Sequence, residues 1–326
     1  MINRSRQAGV LTTLSILSMA MASVSNAEEI TATRFAKFQV VGYLPDYRVA
    51  DLDPAVSKHL TDIIFFSVIP EPRGEFVSTV FDSPDGMGLR KILKEDYRVK
   101  VHLCVGGADR SQGFAEIAAT EASRHLFATG LSAYCSANRY DGADLDWEHP
   151  KDDAESQNYG ILLAEISKAF KPHGLELTAA IAGWQILTPA AIEAVDGINL
   201  MSYDGDGRHS TFELAQSEVH KLLKAGLPAA KMRLGLPFYG RGIVQRDLTK
   251  TYGEIQQAGP DSVDQNEVDG LYFNGPQLIR QKTQFARDQR LGGVMVWEIG
   301  QDARGDKSLL KVIDQAKLHS SAPRRR

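Results

Sequence analysis

Tyr140-Asp141-Gly142-Ala143-Asp144-Leu145-Asp146-Trp147-Glu148 alternates acidic with apolar residues along its second half. Alternate side chains of a β-strand point to the same face. Asp144, Asp146 and Glu148 therefore line one side, and Leu145 and Trp147 the other. Three carboxyl groups stacked on one face repel, so some of them must hold or share protons. The apolar residues opposite argue for a strand buried on both faces, against a solvated acidic edge. The chemistry that suits such a face is general acid catalysis by Glu148, its pKa raised by its acidic neighbours. Asp141 has the other parity and reads as structural.

Working outward, seven further apolar runs have strand character, at residues 38–43, 61–68, 99–105, 175–182, 197–202, 232–237 and 293–297. Helical patterns separate them. One long stretch covers 113–138, and another covers 156–170, with Ile161, Leu162, Ile166 and Phe170 on one face before Pro172 and Gly174. Thr188-Pro189 reads as an N-cap with proline at the first helical position, and 212–225 and 275–288 complete the set. Eight strands alternating with helices predict an α/β fold, a single (β/α)8 TIM barrel. A doubly wound sheet would alternate similarly, but no Gly-rich phosphate fingerprint follows the first strand. Barrel enzymes carry their sites at the C-terminal ends of the strands. That places Glu148 where the fourth strand gives way to its loop, with Asp146 and Asp144 successively deeper.

The composition is that of an ordinary globular chain, with 43% hydrophobic and 24% charged residues in 326. Arg4 and Arg6 precede an apolar run at 8–22 that is short for a membrane span, and Ser25-Asn26-Ala27 offers small residues for cleavage. Residues 1–27 therefore read as a secretory signal peptide, 28–320 as the catalytic domain and 321–326 as a basic tail. The protein is expected to be secreted or periplasmic, with no membrane association after cleavage. The full chain has a net charge of −4, and losing Arg4 and Arg6 makes it more acidic. With no basic stripe, nucleic acid is not expected as a partner. No His/Cys cluster has metal-ligand spacing, so neither metal nor cofactor is expected. Export permits a disulfide between Cys104 and Cys135, but one ends a predicted strand and the other lies on a predicted helix, which leaves the pairing open.

Asp141-Gly142-Ala143-Asp144-Leu145-Asp146-Trp147-Glu148 resembles the DGxDxDxE signature of glycoside hydrolase family 18, the chitinases and their relatives, at every fixed position. Cys104-Val105-Gly106-Gly107 resembles the SxGG of strand three, with cysteine where serine is usual. Met201-Ser202-Tyr203-Asp204 is similar to the MxYD of strand six, residues 234–241 to the GLPFYGR segment of strand seven, and residues 292–298 to the strand-eight segment whose tryptophan floors the sugar site. The motifs occur in the family's order over nearly the whole mature chain.

The resemblance implies retaining hydrolysis of a β-linked N-acetylglucosamine polymer or oligomer, in a family where the substrate assists. Glu148 would protonate the glycosidic oxygen, and the sugar's own acetamido carbonyl would attack the anomeric carbon to give an oxazolinium ion. Asp146 would hold the acetamido N–H, Asp144 would share a proton with Asp146, and Tyr203 would donate to the acetamido oxygen. Trp297 would stack on a sugar face. Met201 would shape the acetamido pocket, while Asp204, Tyr43, Arg241 and Gly107 would contribute contacts to the substrate. Glu298 would point away. The family also implies a monomer.

Departures from the family pattern narrow the expectation. Cys104 replaces a small hydroxyl beneath the acids, and Ser67 stands where many relatives carry an aromatic residue. About 30 residues, 242–272, are left between strand seven and the helix before strand eight. This is short for a full α+β insertion, and a shallower, more open groove suited to soluble chains is expected. An endo-β-N-acetylglucosaminidase acting on N-glycans and a peptidoglycan hydrolase would use the same residues. A chitin-binding lectin is the non-enzymatic alternative.

Overall fold

The structure, a computed structural model, describes residues 38–72, 80–259 and 265–318. The expected signal peptide and basic tail lie outside the described residues. Eight parallel strands close into a barrel: β1 (Gln39–Pro45), β2 (Asp62–Val68), β3 (Lys100–Gly106), β4 (Gly142–Asp146), β5 (Glu176–Ala182), β6 (Gly197–Met201), β7 (Met232–Pro237) and β12 (Gly293–Trp297). Four shorter strands fall between the last two: β8 (Tyr239–Gly242), β9 (Thr249–Thr251), β10 (Glu267–Val268) and β11 (Leu271–Tyr272). The barrel strands coincide with the eight apolar runs to within two residues at each end.

Strand parity separates two cores. Val40 and Leu44 of β1, Ile63 and Phe65 of β2, and Ala143 and Leu145 of β4 face outward into the large cluster beneath the helices. Val41 and Tyr43, Ile64 and Phe66, with Cys104 and Met295, face inward as a small cluster under the mouth. Asp144 and Asp146 share this inward parity, which buries them at 0% and 2% exposure.

The long helical stretch at 113–138 is two helices, Phe114–Ala119 and Glu121–Ala137. Thr120 between them is extended and caps the second helix, its hydroxyl accepting from Ser123 N. A helix at Pro84–Glu95, capped by Ser83, and another at Leu309–Leu318 add to those expected. Among the described residues, the β7-to-β12 connection carries no full α+β domain. It folds into an antiparallel sheet of order β10-β11-β8-β9 with one short helix, Tyr252–Gln257. Cys104 and Cys135 are both free: Cys104 lies inside the barrel, and Cys135 lies outside it among the helices.

Asp62, His102 and Glu176 converge at the opposite, N-terminal end of the barrel, within reach of a common ion. Each already has a partner: His102 Nε2 lies 3.1 Å from Asp62 Oδ1, Thr61 donates to Asp62, and Lys100 pairs with Glu176.

Candidate active site

The three acids of β4 and its exit occupy three different environments. Asp144, the deepest, accepts from four other strands. Tyr43 Oη donates from β1 at 2.6 Å, Thr178 Oγ1 from β5, Asn199 Nδ2 from β6 at 2.9 Å, and the Cys104 thiol weakly from β3 at 3.9 Å. Strand register explains the convergence, since Cys104, Asp144 and Thr178 are aligned partners across β3, β4 and β5.

Asp146, one step nearer the mouth, has no such set. Its Oδ1 is buried without a partner among the described residues. Burial, then the charges of Glu148 and Asp144, push its pKa well up, so it keeps its proton above the usual carboxylate range. Glu148 stands at the surface of the pit with its side chain a quarter exposed. Its backbone N–H donates to Ser111 Oγ at 3.0 Å, and Ser111 in turn donates to the carbonyls of Gly107 and Asp146. Burial raises the Glu148 pKa, and the Asp204 charge raises it further, against the Ala108 amide that lowers it.

Around this acid the mouth is aromatic and polar. The Trp297 ring packs edge-on against Phe66 at 4.6 Å and tilted against Tyr43 at 5.5 Å. Tyr203 and Met201 pack beside it on the inner cluster, both partly exposed. Among the described residues the Tyr203 hydroxyl has only a weak acceptor, Met295 Sδ at 3.8 Å, and burial, then the Asp146 charge, raises its pKa well above the usual phenol range. Asp204 Oδ1 accepts from Tyr239 Oη and pairs with Arg241 Nη1, each at 2.7 Å. A cleft of about 340 Å³ opens between Trp297, Tyr239, Asp204, Arg241, Thr251 and Glu254, so the small β8–β9 insertion forms its wall.

Two expected substrate contacts lie elsewhere. Tyr43 is 1% exposed, with its hydroxyl committed to Asp144, so it holds the acid from below and does not reach the cleft. Gly107 is also covered. At φ +100° an added Cβ would sit 2.3 Å from the Phe66 ring, and its amide donates to Asp146 O at 2.6 Å. It packs Phe66 against the acid strand. Asp141 is tied to Lys94 Nζ and Val101 N, and the 0%-exposed Glu298 accepts from Arg48 and Gly300, so both point away from the mouth.

Thr178, Asn199 and Ser111 were not singled out from the sequence. Laying β3, β4, β5 and β6 side by side in register would have brought the first two to Asp144. A further support lies beneath the loop that carries Tyr203 and Asp204. Lys282, 0% exposed, donates to Ser210 O at 2.9 Å and Ser210 Oγ at 2.7 Å, and Ser210 Oγ donates to Ser202 O at 2.8 Å. Burial brings the Lys282 pKa down to about 7.

The chain matches the family model for glycosyl hydrolases family 18 over residues 39–302. Chitinase 1 of Aphanocladium album is 26% identical over 282 residues, 69% of this chain and 67% of its own length. Chitinase A1 of Niallia circulans is 27% identical over 324 residues, 70% of this chain but 46% of its own length. The chain thus spans between about half and two thirds of these relatives. Among solved structures, a chitinase from the chitin utilization locus of Flavobacterium johnsoniae superposes with a TM-score of 0.77 at 28% identity, covering 86% of this chain and 94% of its own.

Proposed function

The chain belongs to glycosyl hydrolases family 18, and from that premise we propose that it is an exported, monomeric retaining hydrolase of β-1,4-linked N-acetylglucosamine chains. One observation carries the reading: Glu148 is partly exposed with its pKa raised by burial, next to a buried Asp146 whose pKa is raised as well. Asp146 ends the strand that leads into Glu148 and is 2% exposed, so it is not placed to attack a sugar from the opposite face as a second carboxylate would. The nucleophile is then best supplied by the substrate.

In this mechanism a sugar rests on Trp297 with its 2-acetamido group toward Asp146 and Tyr203. Glu148 gives its proton to the glycosidic oxygen as the bond to the anomeric carbon breaks. The acetamido carbonyl oxygen bonds to that carbon, forming an oxazolinium ion. Asp146 accepts from the acetamido N–H, and the Tyr203 hydroxyl, with only a thioether as its partner, donates to the acetamido oxygen. Glu148, now a carboxylate, takes a proton from water as the water opens the ring with overall retention. Asp144 lies beneath, and after burial and Glu148 its charge adds to the proton affinity of Asp146. The cleft wall is a small sheet, which favours soluble chains over crystalline polymer.

The test is to offer the purified protein chito-oligosaccharides, a high-mannose glycopeptide and peptidoglycan in parallel, reading products by mass. Cleavage of the chito-oligosaccharides supports the reading. Release from glycopeptide or peptidoglycan with little chito-oligosaccharide turnover would keep the mechanism and replace the substrate. Binding without cleavage of any would leave a lectin.

A further inference from the structure

One buried amine is left unused by this chemistry. Lys282 lies on the helix Pro276–Asp288, which precedes β12, and no part of it reaches solvent. A lysine is seldom fully buried unless its head group has partners there, since desolvating the amine is costly. Here the head group donates twice to one residue, to Ser210 O at 2.9 Å and to Ser210 Oγ at 2.7 Å. Asn274 Nδ2 donates to the same carbonyl at 2.9 Å. The acids that face the amine, Glu218 and Glu213, come from the helix Phe212–Lys224 and act on it through charge.

Ser210 closes the loop that follows β6. Its hydroxyl donates to Ser202 O at 2.8 Å, and both serines are buried. The Ser202 carbonyl belongs to the planar peptide that leads into Tyr203, so this bond fixes the plane from which the tyrosine departs. Gly205 N donates to His209 O at 3.0 Å, which folds the segment between the serines back on itself, with Asp204 in the left-handed region at φ +62°. The Tyr203 ring is seated against β7, where a Cβ added to Gly235 would stand 2.9 Å from Tyr203 Cε1. Lys282 therefore reaches the start of Tyr203 through two hydrogen bonds, its own to Ser210 Oγ and that of Ser210 to Ser202 O.

We propose that Lys282 is a positioning residue for the hydrolysis: through Ser210 it sets the peptide at Ser202 and so aims the Tyr203 hydroxyl at the acetamido oxygen of the substrate. The inference rests on the hydrolase reading above. Lys282 touches no substrate and gives no proton to the reaction. Its effect falls on kcat, because the acetamido oxygen has to be aligned with the anomeric carbon for the attack and a small misplacement of the group that orients it is felt there.

The test is a double-mutant cycle on kcat, read with chitotetraose. Lys282→Met keeps the apolar stem and removes the donor, and kcat is expected to fall about tenfold with KM within about twofold. Tyr203→Phe is expected to lower kcat about a hundredfold. In that background Lys282→Met is expected to cost less than about twofold more, because the hydroxyl it aims is gone. Ser210→Ala cuts the link to Ser202 and leaves the lysine in place. It is expected to repeat both results, and it carries the cycle by itself if Lys282→Met does not fold. A lysine that only supports the fold would cost the same factor with and without the phenol. That outcome, an unchanged kcat, or a loss carried by KM would overturn this inference alone, as would an active parent indifferent to Tyr203→Phe. A parent inert on chitotetraose would overturn the hydrolase reading and this inference with it.

Discussion

Tyr43 Oη donates to Asp144 Oδ2 over 2.6 Å, joining β1 to β4 across 101 positions of sequence. Asn199 closes a triangle, its Nδ2 donating to Asp144 Oδ1 at 2.9 Å and to Tyr43 Oη at 3.2 Å. This anchors the bottom of the acid column. Asp146 above it has an oxygen with no partner among the described residues, and burial with its acidic neighbours Glu148 and Asp144 raises its proton affinity.

Tyr43→Phe removes one donor from a fully buried carboxylate without opening a cavity. The expected cost is about 1–3 kcal/mol of stability, the penalty for a buried acceptor left short. Urea unfolding followed by circular dichroism reads this as a lower midpoint at unchanged slope. An unchanged midpoint would mean that the phenol gives Asp144 no net support.

Asp204→Asn tests the electrostatics of the acid. Glu148 works as a general acid only while protonated, so kcat/KM falls as pH rises through its raised pKa. Burial is the main cause of that rise and the Asp204 charge the next, so neutralising Asp204 lowers the Glu148 pKa and moves the basic limb of the profile to lower pH. Asp204 is half-exposed, so the move is expected to be less than about one unit and to shrink with added salt. A limb that moves to higher pH would contradict the assignment.

Lys282→Met changes how stability depends on pH. The folded state lowers the lysine pKa from 10.5 to about 7, so between those values the unfolded chain binds the extra proton. Stability contributed by this site therefore rises with pH from about 7 toward 10, by up to about 1.4 kcal/mol per pH unit. The difference between parent and variant, measured by urea unfolding across that range, is expected to show this slope. A flat difference would place the lysine's proton elsewhere.

Much of this was legible in the chain because it rests on short-range periodicity. The acid column follows from the two-residue period of β4, and the barrel from eight runs of apolar residues. Depth and register were not legible. Tyr43 has the inward parity expected of it but lies below the cleft, since periodicity says which face a residue takes and not how far down the strand it sits. Thr178 and Asn199 reach Asp144 only through alignment of strands far apart in sequence. The strands of the cleft wall are two to four residues long, too short to show an alternating pattern. The break at Thr120 lies inside a run of helix-compatible residues, where a capping threonine is easily read through.

The most direct test replaces the acid itself. Glu148→Gln keeps the shape of the side chain and removes the transferable proton. With chitotetraose, turnover read by mass spectrometry is expected to fall at least about a thousandfold while calorimetry still detects binding. Turnover within about tenfold of the parent would contradict Glu148 as the proton donor, and with it the mechanism.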